Sequence, residues 1–317
     1  MTKVIELYGH PTSQSLDWSD IASGQHCPFL SRKCLKNRKS EPDITIGTCT
    51  VSYGKGTRNI IICPFRLLER SQIFIDCLHL LTLHQPGNEL RVIPEIAVPG
   101  GSIDYCLASV RSGKVIDFTG IELQTLDTTG TVWPERQRFL QQQGITVRDV
   151  DATSKKGFGM NWKMTAKTTL MQLHHKIHTF EHLSKHLVLV VQDCLIDYMQ
   201  REFSFEHIQE ARLGDPMQFH SYELLAETGS YRIQLNKRWS TDANGIIQCL
   251  GLQTSPRVEL EAMFRQIENK LPQSTLLSVG LPLPKFLGLK PLLQWPALIS
   301  TNCKGLLKIQ ICERSFS

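Results

Sequence analysis

The chain has 317 residues, 41% of them hydrophobic and 21% charged, and its 35 basic and 30 acidic side chains give a net charge of +5. These values are typical of a globular protein with its own core, and they argue against a disordered or fibrous chain. The net charge allows a nucleic-acid partner but does not require one.

No apolar run is long enough to cross a bilayer, because the longest ones cover residues 187–191 and the proline-interrupted residues 276–284. Residues 1–11 lack the apolar stretch of a signal peptide. We therefore expect no membrane association and a cytoplasmic location, where the ten cysteines stay reduced.

Four cysteines lie in the first quarter of the chain: Cys27, Cys34, Cys49 and Cys63. Residues 12–60 contain many small polar side chains and little apolar periodicity, so we expect that they cannot fold around a core of their own. Four thiolates suit a tetrahedral zinc or iron ion, and metal binding would order such a segment. The spacing also fits four unrelated cysteines, or His10 or His26 in place of one thiol.

A metal-bound segment of this kind predicts two domains. The first is an N-terminal metal-binding subdomain, residues 1–64, and the second comprises residues 65–317. From residue 64 onwards the apolar pattern becomes regular, which is typical of a chain with a conventional core.

The regular part begins with a predicted helix over residues 66–83. Three predicted strands follow, joined by short glycine-containing turns, over residues 90–98, 103–110 and 114–126. A long helix over residues 163–185 then leads into an apolar strand, residues 187–191, which is typical of burial on both faces. The order of helix, three-strand meander, helix and buried strand predicts an α/β fold.

The rest of the chain gives a weaker pattern. Residues 222–235 predict one or two strands, residues 242–245 a turn, residues 246–252 a strand and residues 258–270 a helix. Residues 271–317, which contain many leucines and prolines, support no assignment.

Polar side chains lie on the predicted meander. Glu95 and Asp104 are on consecutive strands, and Glu122 and Gln124 project from one face of the third strand because strand side chains alternate. Converging carboxylates bind Mg²⁺, which activates a water for attack on a phosphate. Two acids on neighbouring strands are more often solvated surface groups. Asp104 and Glu122, however, are flanked by apolar residues, where an unpaired charge is costly.

Several short motifs resemble one known family: Tyr8-Gly9-His10-Pro11, Cys27-Pro28-Phe29, Cys34, Gly47-Thr48-Cys49 and Cys63-Pro64-Phe65-Arg66-Leu67, followed by Glu69-Arg70. Over residues 8–70 the chain resembles the NotI-like family of Type II restriction endonucleases. These enzymes have the PD-(D/E)xK nuclease fold, whose core is helix, three strands, helix and strand. The resemblance is recognisable to about residue 125, and beyond that it is one of topology.

The resemblance implies a metal at each of two sites. It implies that the four N-terminal cysteines bind a structural iron, with zinc as the other candidate. It also implies that Asp104 and Glu122 bind the catalytic Mg²⁺, with Glu95 in an accessory acidic position. Asp104 follows Ser102-Ile103 and not a proline, so the literal Pro-Asp pair is absent.

The resemblance also implies that Gln124 replaces the usual lysine of the nuclease motif. A lysine can help to neutralise the attacking hydroxide, whereas a neutral amide can only orient the water by hydrogen bonding. We therefore expect more of the electrostatic stabilisation to come from the metal held by Asp104 and Glu122.

The function that the resemblance implies is cleavage of double-stranded DNA by a homodimer. The resemblance implies a GC-rich target containing GGCC. A homodimer fits a palindromic target because the two-fold symmetry of the protein matches that of the DNA. Three alternatives stay open: a repair or mobile-element nuclease of the same fold, a metal-stabilised DNA-binding protein without catalytic activity, and a redox protein that uses its iron.

Two basic groups are candidates for contact with DNA. The first mixes cations with glycines and an aromatic residue, and comprises Lys155, Lys156, Asn161 and Lys163. The second comprises Arg232, Lys237 and Arg238. Arginine and lysine bond to phosphates and to guanine. The first group equally fits a solvated loop that enters a helix.

Four histidines recur at every fourth residue: His174, His178, His182 and His186. A zinc site on one helix face is conceivable, but no thiol or carboxylate motif completes it. We interpret the histidines as a polar helix face.

Overall fold

The computed structural model describes residues 3–54, 58–252 and 260–269, together with residue 272. The chain divides into two compact units at residues 257–258. No helix in the described part of the chain is long and apolar enough to span a membrane.

The strands in the described part of the chain all belong to the first unit. They are β1 (Val4–Leu7), β2 (His10–Pro11), β3 (His26–Cys27), β4 (Arg32–Lys33), β5 (Asn37–Arg38), β6 (Glu41–Thr45), β7 (Thr48–Tyr53), β8 (Arg58–Ile61), β9 (Glu89–Val98), β10 (Gly101–Arg111), β11 (Lys114–Gln124), β12 (Thr128–Gly130), β13 (Phe158–Met160), β14 (His186–Gln192), β15 (Gln209–Glu210), β16 (Met217–Glu227) and β17 (Ser230–Thr241).

The helices of the first unit are α1 (Trp18–Gly24), α2 (Gln72–Asp76), α3 (Trp133–Gln142), α4 (Asp149–Ala152), α5 (Trp162–His182), α6 (Asp193–Glu202) and α7 (Ala243–Cys249). Two 3₁₀ helices flank α2, Pro64–Ser71 before it and Leu78–Leu80 after it. The second unit contains α8 (Leu260–Glu268), which lies within the helix predicted over residues 258–270. Residues 271–317, for which the sequence supports no assignment, lie outside the described residues apart from residue 272.

A seven-stranded sheet forms the centre of the first unit, in the order β15-β17-β16-β14-β11-β10-β9. The predicted meander is its β9-β10-β11 end, and β14 lies parallel to both β11 and β16 while the other neighbours are antiparallel. The chain therefore has a mixed α/β fold with a large mixed sheet, which confirms the α/β class predicted from the sequence.

Strand β14 is buried on both faces, which is why its sequence is almost wholly apolar. Its alternate side chains Leu187, Leu189 and Val191 join a core cluster that includes the buried side of α5. Val188 and Val190 join a second cluster with α2 and the 3₁₀ helices. The sheet therefore has two covered faces, which we call the α5 face and the α2 face.

The N-terminal residues form a smaller sheet in the order β2-β1-β7-β8. Val51 and Ile60 from this sheet are buried in the same cluster as α5. Residues 12–60 thus contribute side chains to a shared core, which resolves the shortage of apolar residues noted in the sequence. The domain boundary after residue 64 stays a prediction.

The single helix predicted over residues 66–83 is wrong, because the segment is broken into three short helices. Arg70 and Ser71 adopt left-handed conformations, with φ of 51° and 56°. The break allows Glu69 to turn towards β17, where its carboxylate accepts a hydrogen bond from Ile233 N at 2.8 Å. A tertiary contact therefore overrides the local helical periodicity.

The strand predicted over residues 246–252 is also wrong, because that segment lies mainly in α7. The Asp242 side chain caps the helix by accepting from Gly245 N at 2.8 Å, so the residues predicted as a turn are a helix start. The strands predicted over residues 222–235 are a longer hairpin, β16 and β17.

Candidate active site

Asp104 and Glu122 lie where two neighbouring strands separate. The β10–β11 ladder runs from Arg111↔Lys114 to Tyr105↔Ile121. Beyond that pair, β10 continues beside β9 and β11 continues beside β14. Asp104 and Glu122 are the first residues after the last pair, one on each strand. The predicted carboxylates are therefore next to each other at the opening between the strands.

The Asp104 side chain bridges this opening. Its Oδ2 atom accepts a hydrogen bond from Leu123 N on β11, with a distance of 2.8 Å. Asp104 is otherwise exposed, so the second carboxylate oxygen has access to a ligand. The side chain thus takes the place of a backbone acceptor between the two strands, and this hydrogen bond fixes the Asp104 carboxylate relative to the sheet.

Glu122 is held on the α5 face by an ion pair that the sequence did not predict. The Nζ atom of Lys176 on α5 lies 2.6 Å from Glu122 Oε1, and both side chains are largely buried. Burial raises the pKa of Glu122 to about 7, although the hydrogen bond and charge of Lys176 lower it; the negative charge of Asp104 adds to the rise. Such a perturbed carboxyl group is typical of a functional site.

Glu95 and Gln124 complete the predicted set. On β9 the pairs Ile103↔Ile96 and Tyr105↔Pro94 place Glu95 across from Asp104, and Glu95 is exposed with a left-handed φ of 53°. Gln124 lies two residues beyond Glu122, and its Nε2 donates to Thr125 O at 2.7 Å. The Gln124 amide is thus hydrogen-bonded to the residue that follows its own strand.

These polar groups have the donor chemistry of a magnesium site. Asp104 and Glu122 offer hard carboxylate oxygens, which Mg²⁺ prefers, with room left for waters and phosphate oxygens. Among the described residues, no group of three or more His, Cys, Asp or Glu side chains is arranged as a metal site. The case for Mg²⁺ at this site thus rests only on two carboxylates, on their oxygen chemistry and their neighbouring strand positions.

The four N-terminal cysteines are all buried and free of disulfides. The Cys49 thiol donates to Gly47 O at 3.4 Å, and the interaction of Cys49 with Cys63 lowers the pKa of the Cys63 thiol to about 6. Burial raises the pKa of Cys27, and the neighbouring Cys63 and Cys34 contribute to that rise. The four thiols thus interact electrostatically.

Iron and zinc both favour thiolate sulfur, but within the described residues these four cysteines do not form a group of three or more side chains arranged to hold a metal ion. His26 is exposed and His10 is half-buried, so neither is as enclosed as the four sulfurs. The Lys36 ammonium, which donates to Ile62 O at 2.9 Å, also lowers the pKa of Cys63 and would help to balance a thiolate cluster.

The first basic group lies at the entry to α5. Lys155 and Lys156 are exposed on the loop before β13, Asn161 is the N-cap residue of α5, and Lys163 is exposed in the first turn. Phe158 and Met160 of β13 belong to the core cluster of the α5 face. This group therefore shares a face with Glu122 and Lys176.

The residues of the second basic group lie at two separate places on β17. Arg238 contacts the ring of His79, and with Lys237 it lines a cavity of about 620 Å³. Arg232 pairs with Glu227 at 3.4 Å and lines a different cavity, of about 310 Å³, with Glu69. Because His79 belongs to a helix that covers the α2 face, Arg238 lies away from the carboxylates.

The predicted histidine face is only partly helical. α5 ends at His182, and His186 is the first residue of β14, where its Nε2 atom lies 2.7 Å from Leu213 O. The rings of His174 and His178 contact each other at 5.7 Å between centroids. His186 therefore does not belong to the helix face with the other three.

Lys176 is the site residue that sequence reasoning missed. It lies among the buried residues Leu173, Ile177 and Phe180 on the apolar side of α5. A cation in that stripe was the available signal, because a buried lysine needs a partner.

In comparisons with known proteins, no family model matches the chain and no curated protein matches it at a significant level.

Proposed function

We propose that the chain is a magnesium-dependent endonuclease of the PD-(D/E)xK type that cuts double-stranded DNA. The observation that carries the proposal is the position of Asp104 and Glu122, side by side where β10 and β11 separate. The order of elements gives support, since the meander β9-β10-β11 is followed, after β12, α3, α4 and β13, by α5 and then by β14.

Asp104 and Glu122 would hold the Mg²⁺, and Gln124 or Glu95 would orient a water beside them. When bound, Mg²⁺ supplies an activated water and stabilises negative charge on a phosphate. The hydrogen bond from Leu123 N fixes one oxygen of Asp104, and α5 fixes Glu122 through Lys176. Both acids are therefore positioned before a ligand arrives, which reduces the cost of reorganisation.

Restriction at a GC-rich palindrome, containing GGCC, is the more specific proposal. It rests on the resemblance of residues 8–70 to the NotI-like enzymes, as does the homodimer that would match the symmetry of such a site. The cations of the α5-entry loop support DNA binding on the face that carries the carboxylates, because phosphate contacts supply most of the affinity.

A structural metal at Cys27, Cys34, Cys49 and Cys63 belongs to the same proposal. Buried thiols that interact with one another support it. A fully thiolate shell leaves no open position for a substrate, so the ion would stabilise the fold and take no part in catalysis. We expect elemental analysis of the purified protein to find iron or zinc at one ion per chain, and Cys63→Ala to lose it. A metal-free wild-type protein that stays folded would contradict this part.

Cleavage of a fully sequenced plasmid in MgCl₂, followed by mapping of the ends, tests the nuclease proposal. We expect discrete cuts at palindromes by the wild type, and no cuts by Asp104→Ala or Glu122→Ala, both of which should still bind the plasmid. Glu89→Gln, at an exposed acid of β9, is the matched control and should cut normally.

The other outcomes of the plasmid experiment discriminate between the alternatives. Cutting only at lesions or junctions would favour a repair nuclease. Tight binding without any magnesium-dependent cutting would favour a DNA-binding protein and would overturn the proposal, as would cleavage that survives both carboxylate substitutions.

A further inference from the structure

Lys176 is an unusual residue for the apolar side of a helix. Its neighbours on that side, Leu173, Ile177 and Phe180, are at most 1% exposed, and Lys176 itself is 5% exposed. Burying an ammonium costs free energy unless it is paired. An apolar residue of similar length would pack there without that cost, so the lysine has a role other than packing.

The chain is shaped so that this ammonium reaches the opening between β10 and β11. The turn from β9 to β10 contains Gly100 and Gly101, and α5 packs directly against it. A Cβ atom on Gly100 would lie 2.3 Å from the backbone oxygen of His175, and one on Gly101 would lie 3.4 Å from Lys176 Cε. Two glycines thus allow the helix to approach closely enough for Lys176 Nζ to contact Glu122.

The charge balance of the site gives the lysine its significance. Asp104, Glu122 and Glu95 are acidic, while Gln124, at the position where the nuclease motif has a cation, is neutral and donates to Thr125 O. Within the described residues, Lys176 is the cation that the structure pairs with a member of this set. Lys176 on α5 therefore supplies the positive charge that Gln124 on β11 lacks.

We propose that Lys176 is the cationic catalytic residue of this site, delivered by α5 instead of by the strand. This inference rests on the proposed nuclease function. In the hydrolysis, a water oxygen bonds to phosphorus and the bond from phosphorus to the departing sugar oxygen breaks. The water releases one proton to solvent, and the departing oxygen takes one up. Lys176 takes no part in these proton transfers, and its ammonium stabilises the negative charge that develops on the phosphate and the attacking oxygen.

Four variants test the role of Lys176: Lys176→Met, Lys176→Arg, the double variant Gln124→Lys with Lys176→Met, and Lys167→Met. The last is the matched control, because Lys167 is an exposed residue of the same helix. Single-turnover cleavage of the mapped plasmid site, DNA affinity without Mg²⁺ and the melting temperature are measured for each.

We expect Lys176→Met to lower the cleavage rate by about 100- to 1,000-fold with DNA affinity unchanged, as for loss of one electrostatic group in an active site. Lys176→Arg should keep part of the activity. The double variant should recover at least about tenfold of the lost rate, because it returns a cation to the strand position that carries the lysine in the nuclease motif. Lys167→Met should behave as the wild type.

Wild-type cleavage by Lys176→Met would overturn the inference and leave the nuclease proposal intact. The inference also fails if Lys176→Met loses DNA affinity and thermal stability together and Gln124→Lys restores no activity, because a lysine that only holds Glu122 in place behaves that way. If the wild type does not cut DNA at all, the nuclease proposal fails first, so the two failures are distinguishable.

Discussion

Two buried ion pairs in this molecule contrast with each other. Around Arg66, which is 1% exposed, the charges are closed off: its Nε lies 2.9 Å from Glu6 Oε2, its Nη1 lies 3.0 Å from Glu69 and its Nη2 donates to Tyr231 O at 2.8 Å. Around Glu122 the pair is open, because the carboxylate has one bond to Lys176 and the exposed Asp104 lies beside it.

The difference separates charges that hold the structure together from those that we propose to be functional. The Arg66 network joins the N-terminal sheet, the first 3₁₀ helix and β17, so it ties distant parts of the chain together. Burial still raises the pKa of Glu6, although Arg66 lowers it. The Glu122 pair joins α5 to β11 and leaves carboxylate oxygens free, which is what a ligand requires.

The largest expected effect is on catalysis at the open pair. Asp104→Asn retains an acceptor for Leu123 N and removes only the charge. On the proposed nuclease function, we expect it to lower single-turnover cleavage by about 10³-fold, since a charge that would hold the metal is lost. The free energy of unfolding should change by less than about 0.5 kcal/mol, because Asp104 is exposed. Cleavage assays and urea denaturation measure the two quantities. A large loss of stability would show that Asp104 is structural, like Arg66.

The closed network should give the opposite result. Arg66→Met leaves Glu6 and Glu69 without their common partner, and we expect a loss of about 3–5 kcal/mol in the free energy of unfolding. Cleavage per folded molecule should be unchanged. Arg91→Met removes a surface pair with Glu89 and is the control, with an expected change of less than about 1 kcal/mol. Equal effects from the two arginines would remove the distinction drawn here.

The carboxylates were predictable from the sequence, whereas their cationic partner was not. Strand alternation and the Pro99-Gly100-Gly101 turn are local features, so Asp104, Glu122 and Gln124 could be placed on neighbouring strands. The contact of Lys176 with Glu122 spans 54 residues and depends on how α5 packs, which no local pattern encodes.

The same reasoning explains which elements were misassigned. The apolar run of β14 and the helical periodicity of α5 are strong local signals, so both elements were predicted within a few residues of their ends. Residues 246–252 contain consecutive isoleucines, which favour a strand, but the Asp242 cap initiates a helix instead. The break at Arg70 and Ser71 depends on Glu69 reaching Ile233 N, more than 160 residues away.

His220 is a buried polar residue outside both ion pairs, and it sharpens the comparison through pH. It is fully buried, its Nε2 atom has no hydrogen-bond partner, and burial lowers its pKa to about 3. Cys77 Sγ lies 3.7 Å from its Nδ1, the His79 ring stacks on it at 6.0 Å, and the charge of Arg238 disfavours its protonation.

The sign of the pH effect follows from the lowered pKa. Below about pH 6.5 the unfolded state binds a proton that the folded state excludes, so His220 costs about 1.4 kcal/mol of stability for each unit of further acidification. We expect His220→Leu to flatten the dependence of unfolding free energy on pH between about pH 6.5 and 4 by that amount per unit. His182→Leu, at an exposed position, should leave the slope unchanged. An unaltered slope in His220→Leu would mean that the imidazole is charged or exposed in the folded state.

The smallest expected effect concerns which of the two basic surfaces contacts DNA phosphates when DNA is bound at Asp104 and Glu122. Lys163 and Lys176 are on one helix, about 20 Å apart from the rise of an α-helix, so DNA at the carboxylates can also reach the loop before β13. Arg238 instead contacts His79 on the α2 face. This placement favours the α5-entry loop over β17 as the phosphate-binding surface.

The dependence of DNA affinity on salt discriminates between the two surfaces. Each lost phosphate contact should reduce the slope of log affinity against log salt by about 0.9. We expect the double variant Lys155→Ala with Lys156→Ala to lower that slope by about 2, with only a modest loss of affinity at physiological salt. Lys237→Ala should leave the slope unaltered. A reduced slope in Lys237→Ala alone would place the DNA along β17, on the face away from Glu122, and a duplex there could not present a phosphate to Asp104 without a second copy of the chain.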